Sequence, residues 1–272
     1  MHSPLFGGGA VDRFQAHPLL PDATSLAAGL ALARFNGSWL RNRLLNDRGR
    51  FLLALLLLDL HLNECGGRGV TAGRIRREAL RYDICSGGRV TAFLAALRFG
   101  NFLVAACDVD EREKRLQPTQ ALLNLHHERW MSLLQAIAIM DADAVRRAEA
   151  LPSDVFLSRC TGRLAELFRT GLRLLDLVPA LHAFAERDAG IAMLLALYLA
   201  GSPGGTVTVA DASRTFSVSR AHASHVLQTA QRNHLAVFHG PRLGYAGTAE
   251  LKAVIERFYA VIFAVICYAI DV

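Results

Sequence analysis

The chain has 272 residues, 52% of them hydrophobic and only 8 of them proline. That is enough apolar material for one large domain or two ordinary ones with packed cores, and it excludes a disordered or collagen-like chain. The 30 cationic residues outnumber the 24 acidic ones for a net charge of +6. Only Lys114 and Lys252 are lysines, so nearly all the positive charge is arginine, whose forked donors suit phosphate and guanine.

In chain order, apolar residues at three- and four-residue spacing predict helices over Ser25–Leu45, Phe51–Leu62, Leu122–Met140, Cys160–Phe184, Ile191–Ala200 and Leu251–Ile270. Strand-like alternation is confined to short pieces. They are Gly69–Thr71, Phe102–Ala105 and Leu116–Pro118 in the first half, and Thr206–Val209, Leu235–Phe238 and Gly244–Ala246 in the second. The predicted fold is therefore mostly α with short β segments. The longest uncharged apolar run, Phe258–Ile270, has 13 residues, short of the roughly 20 that cross a bilayer, and Met1–Pro21 lacks a basic stretch followed by an apolar one. Five cysteines, Cys65, Cys85, Cys107, Cys160 and Cys267, form no CxxC or Cys/His ligand spacing, so neither a disulfide framework nor a metal site is expected. These features read as a cytoplasmic protein with no membrane partner.

The two halves repeat one another. In each, an apolar helix leads through a glycine-containing loop (Glu64–Gly69, Gly201–Gly205) to Val70-Thr71 or Val207-Thr208, and then to a short helix. Next comes a serine suited to N-capping, Ser86 or Ser219. Fourteen residues beyond it the following helix is expected to end at Gly100 or Asn233, residue types that tolerate a left-handed C-cap. A strand, a polar turn and a second strand follow, and Thr119 or Thr248 opens a long helix. Helix, strand, helix, helix, strand, turn, strand is the order of a winged helix-turn-helix.

The residues that carry this order resemble the MarR-type family of bacterial winged-helix regulators. The segment ICSGGRVTAFLAALRFGNFL (Ile84–Leu103) resembles a recognition helix with the first wing strand, and DEREKRLQPT (Asp110–Thr119) resembles the family's wing signature. FSVSRAHASHVL (Phe216–Leu227) resembles a second recognition helix, whereas the second turn, HGPR (His239–Arg242), lacks the acidic-basic signature. The resemblance implies double-stranded DNA as the partner. It also implies wing cations along the minor groove and a small-molecule effector held between the scaffold and the DNA-binding lobes; no residue here identifies that effector.

The residues themselves support a DNA reading. Ser86, Gly87 and Gly88 would let a helix N-terminus approach phosphate, with Arg89 as the long donor to a base edge and Thr91 further along. Seven arginines lie between Arg68 and Arg98 against only Glu78 and Asp83, which concentrates positive charge in this motif. Arg112, Lys114 and Arg115 are the candidate wing contacts. In the second motif the candidates are Ser219, Arg220, His222 and His225, with Arg242 in its wing; residues 220, 222, 225 and 229 are expected to face outward. Cys85, directly before the first N-cap, is a candidate redox-sensitive thiol.

No HExxH, GxSxG, Walker-type or GxGxxG pattern is present, so no catalytic residues, metal or cofactor are assigned and the chain is not expected to be an enzyme. In His126-His127-Glu128-Arg129-Trp130, adjacent histidines on a helix diverge by about 100° and do not share a ligand easily. The expected organisation is an N-terminal arm (1–23) followed by two winged-helix units with flanking scaffold helices (24–150 and 151–272). They would form tandem winged helix-turn-helix units on a shared helical scaffold, a pseudo-dimer within one chain that is either monomeric or joins a second copy. The alternative is a winged-helix protein-interaction module without specific DNA binding.

Overall fold

The computed structural model describes residues 9–35, 47–106, 114–201 and 205–271. It is mostly helical with two small antiparallel sheets. The chain divides into two compact units that alternate along the sequence. One comprises Arg48–Met131, Arg146–Leu172 and Ile266–Val272; the other comprises Met1–Asp47, Ser132–Val145 and Arg173–Val265. The expected division at 150/151 therefore does not follow the packing, because the long helix after each motif runs on from one unit into the other.

In the first of these units, helix α3 (Arg48–Asp59) packs against α8 (Ser153–Arg169). Its run Leu52–Leu58 is buried on every side, as befits a helix at the centre of a core. It continues as a π-helical turn, Leu60–Glu64. Strand β1 (Val70–Thr71) follows, then α4 (Ala72–Arg81), α5 (Gly87–Phe99), β2 (Leu103–Ala105) and β3 (Arg115–Pro118), with sheet order β1-β3-β2. Helix α6 (Gln120–Ile137) opens after Thr119, and α7 (Ala142–Glu149) precedes α8.

In the second unit, α1 (Ala10–Gln15) and α2 (Leu20–Ala33) come first. The stretch 1–23 is thus not a free arm in its described part: Val11, Leu20 and Ala23 are buried, and Phe14 packs on Phe263 with ring centroids 5.9 Å apart. Helix α2 begins at Leu20, five residues earlier than expected, with Pro21 in its first turn where a missing N–H costs nothing. It packs on α10 (Gly190–Ala200). The helix predicted over Cys160–Phe184 is broken instead. It ends at Arg169 ahead of Gly171, which adopts φ +104°, and the chain continues through 3-10 turns and a short helix α9 (His182–Ala185). Helices α11 (Val209–Phe216) and α12 (Arg220–Arg232), strands β4 (Ala236–Phe238) and β5 (Tyr245–Gly247), and α13 (Ala249–Ile270) complete the chain. The strand expected over Thr206–Val209 shrinks to a bridge between Val207 and Tyr245, because Thr208 is already the N-cap of α11.

The two motifs share their local bonding. Thr71 and Thr208 cap α4 and α11, and Ser86 and Ser219 cap α5 and α12, each hydroxyl accepting a backbone N–H three residues on. Gly100 and Asn233 are not left-handed as expected; the next residues, Asn101 (φ 56°) and His234 (φ 60°), take that conformation. The N–H of Phe102 then donates to the Leu97 carbonyl (2.8 Å), and that of Leu235 to the Ala230 carbonyl (2.9 Å), closing Schellman motifs. Thr119 donates its hydroxyl to the Asn101 carbonyl (2.9 Å) and Thr248 does so to His234 (2.8 Å). Strand registers match too, Leu103 facing Pro118 as Ala236 faces Gly247, and Val70 facing Leu116 as Val207 faces Tyr245.

Among the described residues one helix, α13, is long and apolar enough to cross a membrane, and more than half of its most apolar window is buried within the protein.

Candidate nucleic-acid interface

In the first motif the N-terminal turn of α5 is exposed. Ser86 accepts the Arg89 N–H at 3.4 Å, and Ser86, Gly88 and Arg89 all face solvent. Thr91 is exposed as well, but its hydroxyl is committed: it donates to the Gly87 carbonyl (3.1 Å) and accepts Nη2 of Arg76 (3.0 Å). Arg76 is the residue the sequence reading did not single out. Its signal is a bare Gly87 and a Thr91 one turn later, presenting one face of α5 to α4.

Not every arginine of this region faces outward. Arg74 pairs with Glu64 and donates to the Cys65 sulfur. Arg68 donates to the Cys65 carbonyl (3.2 Å), and Arg81 lies over the Tyr82 ring. Arg169, from α8, gathers the acidic side: Asp59 at 2.6 Å, Glu64 at 3.1 Å and Glu78 at 3.4 Å. Burial opposes its charge, and these three carboxylates outweigh that effect and raise its pKa.

Arg112 lies outside the described residues. Lys114 is exposed, whereas Arg115 is half-buried and donates to the Gly69 carbonyl (3.3 Å), bracing β3 against β1. Gly69 is required there: it has φ +85°, and a Cβ would come within 2.9 Å of the Leu116 carbonyl oxygen.

In the second motif Arg220 and His225 are exposed and Ala223, Val226, Leu227 and Ala230 are buried, as the periodicity predicts. His222 departs from expectation. It is half-buried, with Nε2 2.8 Å from the Asp188 carbonyl oxygen, which accepts only, so the ring proton sits on Nε2 and the side chain faces its own unit. Thr229, also expected outward, is buried, because its hydroxyl donates to the His225 carbonyl and accepts from Arg187 and Arg232. Arg214 pairs with Asp211, whose carboxyl is held low first by the Thr208 hydroxyl and then by Arg214. Arg242 is exposed at the tip of the β4–β5 turn. That turn closes through His239 N–H to the Gly244 carbonyl (2.8 Å), and Gly244 takes φ +84° against the Val207 backbone. Beside Arg242 stand the exposed Val237, Phe238 and Leu243.

Cys85 is half-buried and in no disulfide. His126 is fully buried and tilted against Trp130, while His127 packs on Phe156, so the two imidazoles diverge. Comparison of the chain with protein-family models, with curated proteins and with solved structures gives no match.

Proposed function

We propose that the chain is a sequence-specific, double-stranded-DNA-binding transcriptional regulator of the MarR-like winged helix-turn-helix kind, acting in the cytoplasm and not as an enzyme. One observation carries this reading: Arg89 and Arg220 are both exposed on the first turn of a serine-capped helix in the same helix-helix-strand-strand setting. Such a helix places its N-terminal residues against base edges in the major groove while backbone N–H groups meet phosphate. Because the two helices differ in sequence, the preferred site is an asymmetric pair of half-sites.

The recurrence of the motif in both halves supports an intramolecular pseudo-dimer, monomeric or joined to a second copy, with a small-molecule effector between the scaffold and the DNA-binding lobes. The test is a mobility shift across salt concentrations with parent protein and Arg89→Ala. Binding that weakens as salt rises, and a loss of about 1–3 kcal/mol in the variant, are expected. Salt-independent retention, or none, defeats the reading.

The exposed Val237, Phe238 and Leu243 on the second wing favour a second reading for that half alone, a protein-docking surface. Under it, Arg220→Ala leaves DNA affinity unchanged.

A further inference from the structure

We propose that Arg76 contacts a backbone phosphodiester of the duplex, and that Gly87 and Thr91 are the residues that position it. The inference rests on the DNA-binding reading and adds a contact that reading does not contain.

Arg76 belongs to α4, yet its side chain reaches across to the first turn of α5. Its stem lies over the bare face of Gly87, where a Cβ would come within 3.3 Å of the Arg76 Cδ and 3.4 Å of Nε. Its Nη2 donates to Thr91 Oγ1 at 3.0 Å, and that hydroxyl spends its proton on the Gly87 carbonyl. Thr91 therefore accepts from Arg76, which orients the guanidinium toward the first turn of α5. Arg76 itself is exposed. A guanidinium has five N–H donors, so one bond to Thr91 leaves most of the fork for an anion.

The choice of phosphate over base follows from position. In a helix-turn-helix the first helix crosses the nucleic-acid backbone while the second enters the groove, so a long donor on α4 meets the strand's phosphates and Arg89, on α5, meets the base edge.

The experiment is a salt titration of binding to a mixed-sequence DNA duplex by the full chain, the parent compared with Arg76→Gln. Glutamine keeps a polar, hydrogen-bonding side chain and removes the charge; a thermal melt checks that the fold is retained. Arg76→Gln should reduce the slope of log affinity against log salt by about one and weaken binding equally on unrelated sequences. Thr91→Val, which changes no charge, should lower affinity a few-fold by freeing the guanidinium. A parental slope in Arg76→Gln, with Arg89→Ala still weakening binding, overturns the role of Arg76 and leaves the DNA reading standing. A parent protein without salt-dependent binding overturns both.

Discussion

Arg169 Nη1 lies 2.6 Å from Asp59 Oδ2, and the Asp59 side chain is only 3% exposed. Asp59 has a second donor, Asn63 Nδ2 at 2.8 Å, so two hydrogen bonds hold the carboxylate in a nearly dry site. The same guanidinium reaches Glu64 in the π turn and Glu78 on α4, so one residue of α8 orients three segments of the first motif. Removing one member of such a pair strands a buried charge, which costs more than the pair contributes. Arg169→Ala is expected to lower stability by about 3 kcal/mol, read from urea midpoints at neutral pH. An Asp59→Asn, Arg169→Met double variant, which removes both charges, should lose clearly less. Equal losses would show that the pair does not act as a unit.

The serine caps give a prediction that treats the two motifs alike. Ser86 and Ser219 each accept an amide hydrogen that the helix cannot otherwise satisfy, Arg89 N–H at 3.4 Å and His222 N–H at 3.1 Å. Replacement by alanine should cost about 1 kcal/mol at either position, with Ser86→Gly or Ser219→Gly costing only a few tenths. Denaturant midpoints measure both, and a neutral alanine would show that the cap is made by something other than the hydroxyl.

Those caps were legible in the sequence because a hydroxyl before a helix has one local job, whereas Thr71 and Thr208, expected in strands, prove to be the caps of α4 and α11. The recurrence of the motif was legible for a similar reason: capping serines and helix-opening threonines come at matching places in both halves. What the sequence hid depends on partners remote along the chain. His222 stands at an outward helical position, yet a carbonyl 34 residues earlier captures it. Asp59 interrupts a long apolar stretch, and α8, 110 residues later, supplies its counter-charge. Arg76 was one of seven arginines until the helix pair brought it over Gly87. Packing also decided the breadth of helices: apolar spacing alone carried the Cys160–Phe184 pattern through Gly171, where the backbone turns left-handed.

Thiol labelling separates the described cysteines by burial. Cys65 and Cys160 are buried, and burial pushes the Cys160 thiol up to about 12 despite Arg159 beside it, so its nucleophilic thiolate is scarce. Cys85 and Cys267 are half-buried. Brief treatment of native protein with iodoacetamide near pH 8, followed by peptide mass spectrometry, should modify Cys85 and Cys267 well before Cys65 and Cys160. An unmodified Cys85 would remove the redox role considered for it, since a sensing thiol has to be reachable as well as ionisable.

His126 predicts how stability responds to acid. The imidazole is fully buried in α6, and burial first, then the nearby Arg129 charge, lowers its pKa from 6.5 to about 3. In the unfolded chain the same ring takes up a proton near pH 6.5, so between about pH 6.5 and 3 the unfolded state binds more protons than the folded one. Its contribution is therefore intact above pH 6.5 and is lost as pH falls, with a slope approaching about 1.4 kcal/mol per pH unit for one proton. His61, whose pKa burial also lowers, acts in the same direction. His126→Leu keeps an apolar side chain in the same space and removes the titration, so its stability should fall less than that of the parent between pH 7 and pH 5. Urea midpoints at the two pH values measure the difference, and parallel losses in parent and variant would show that the folded protein accommodates a charged ring at this position.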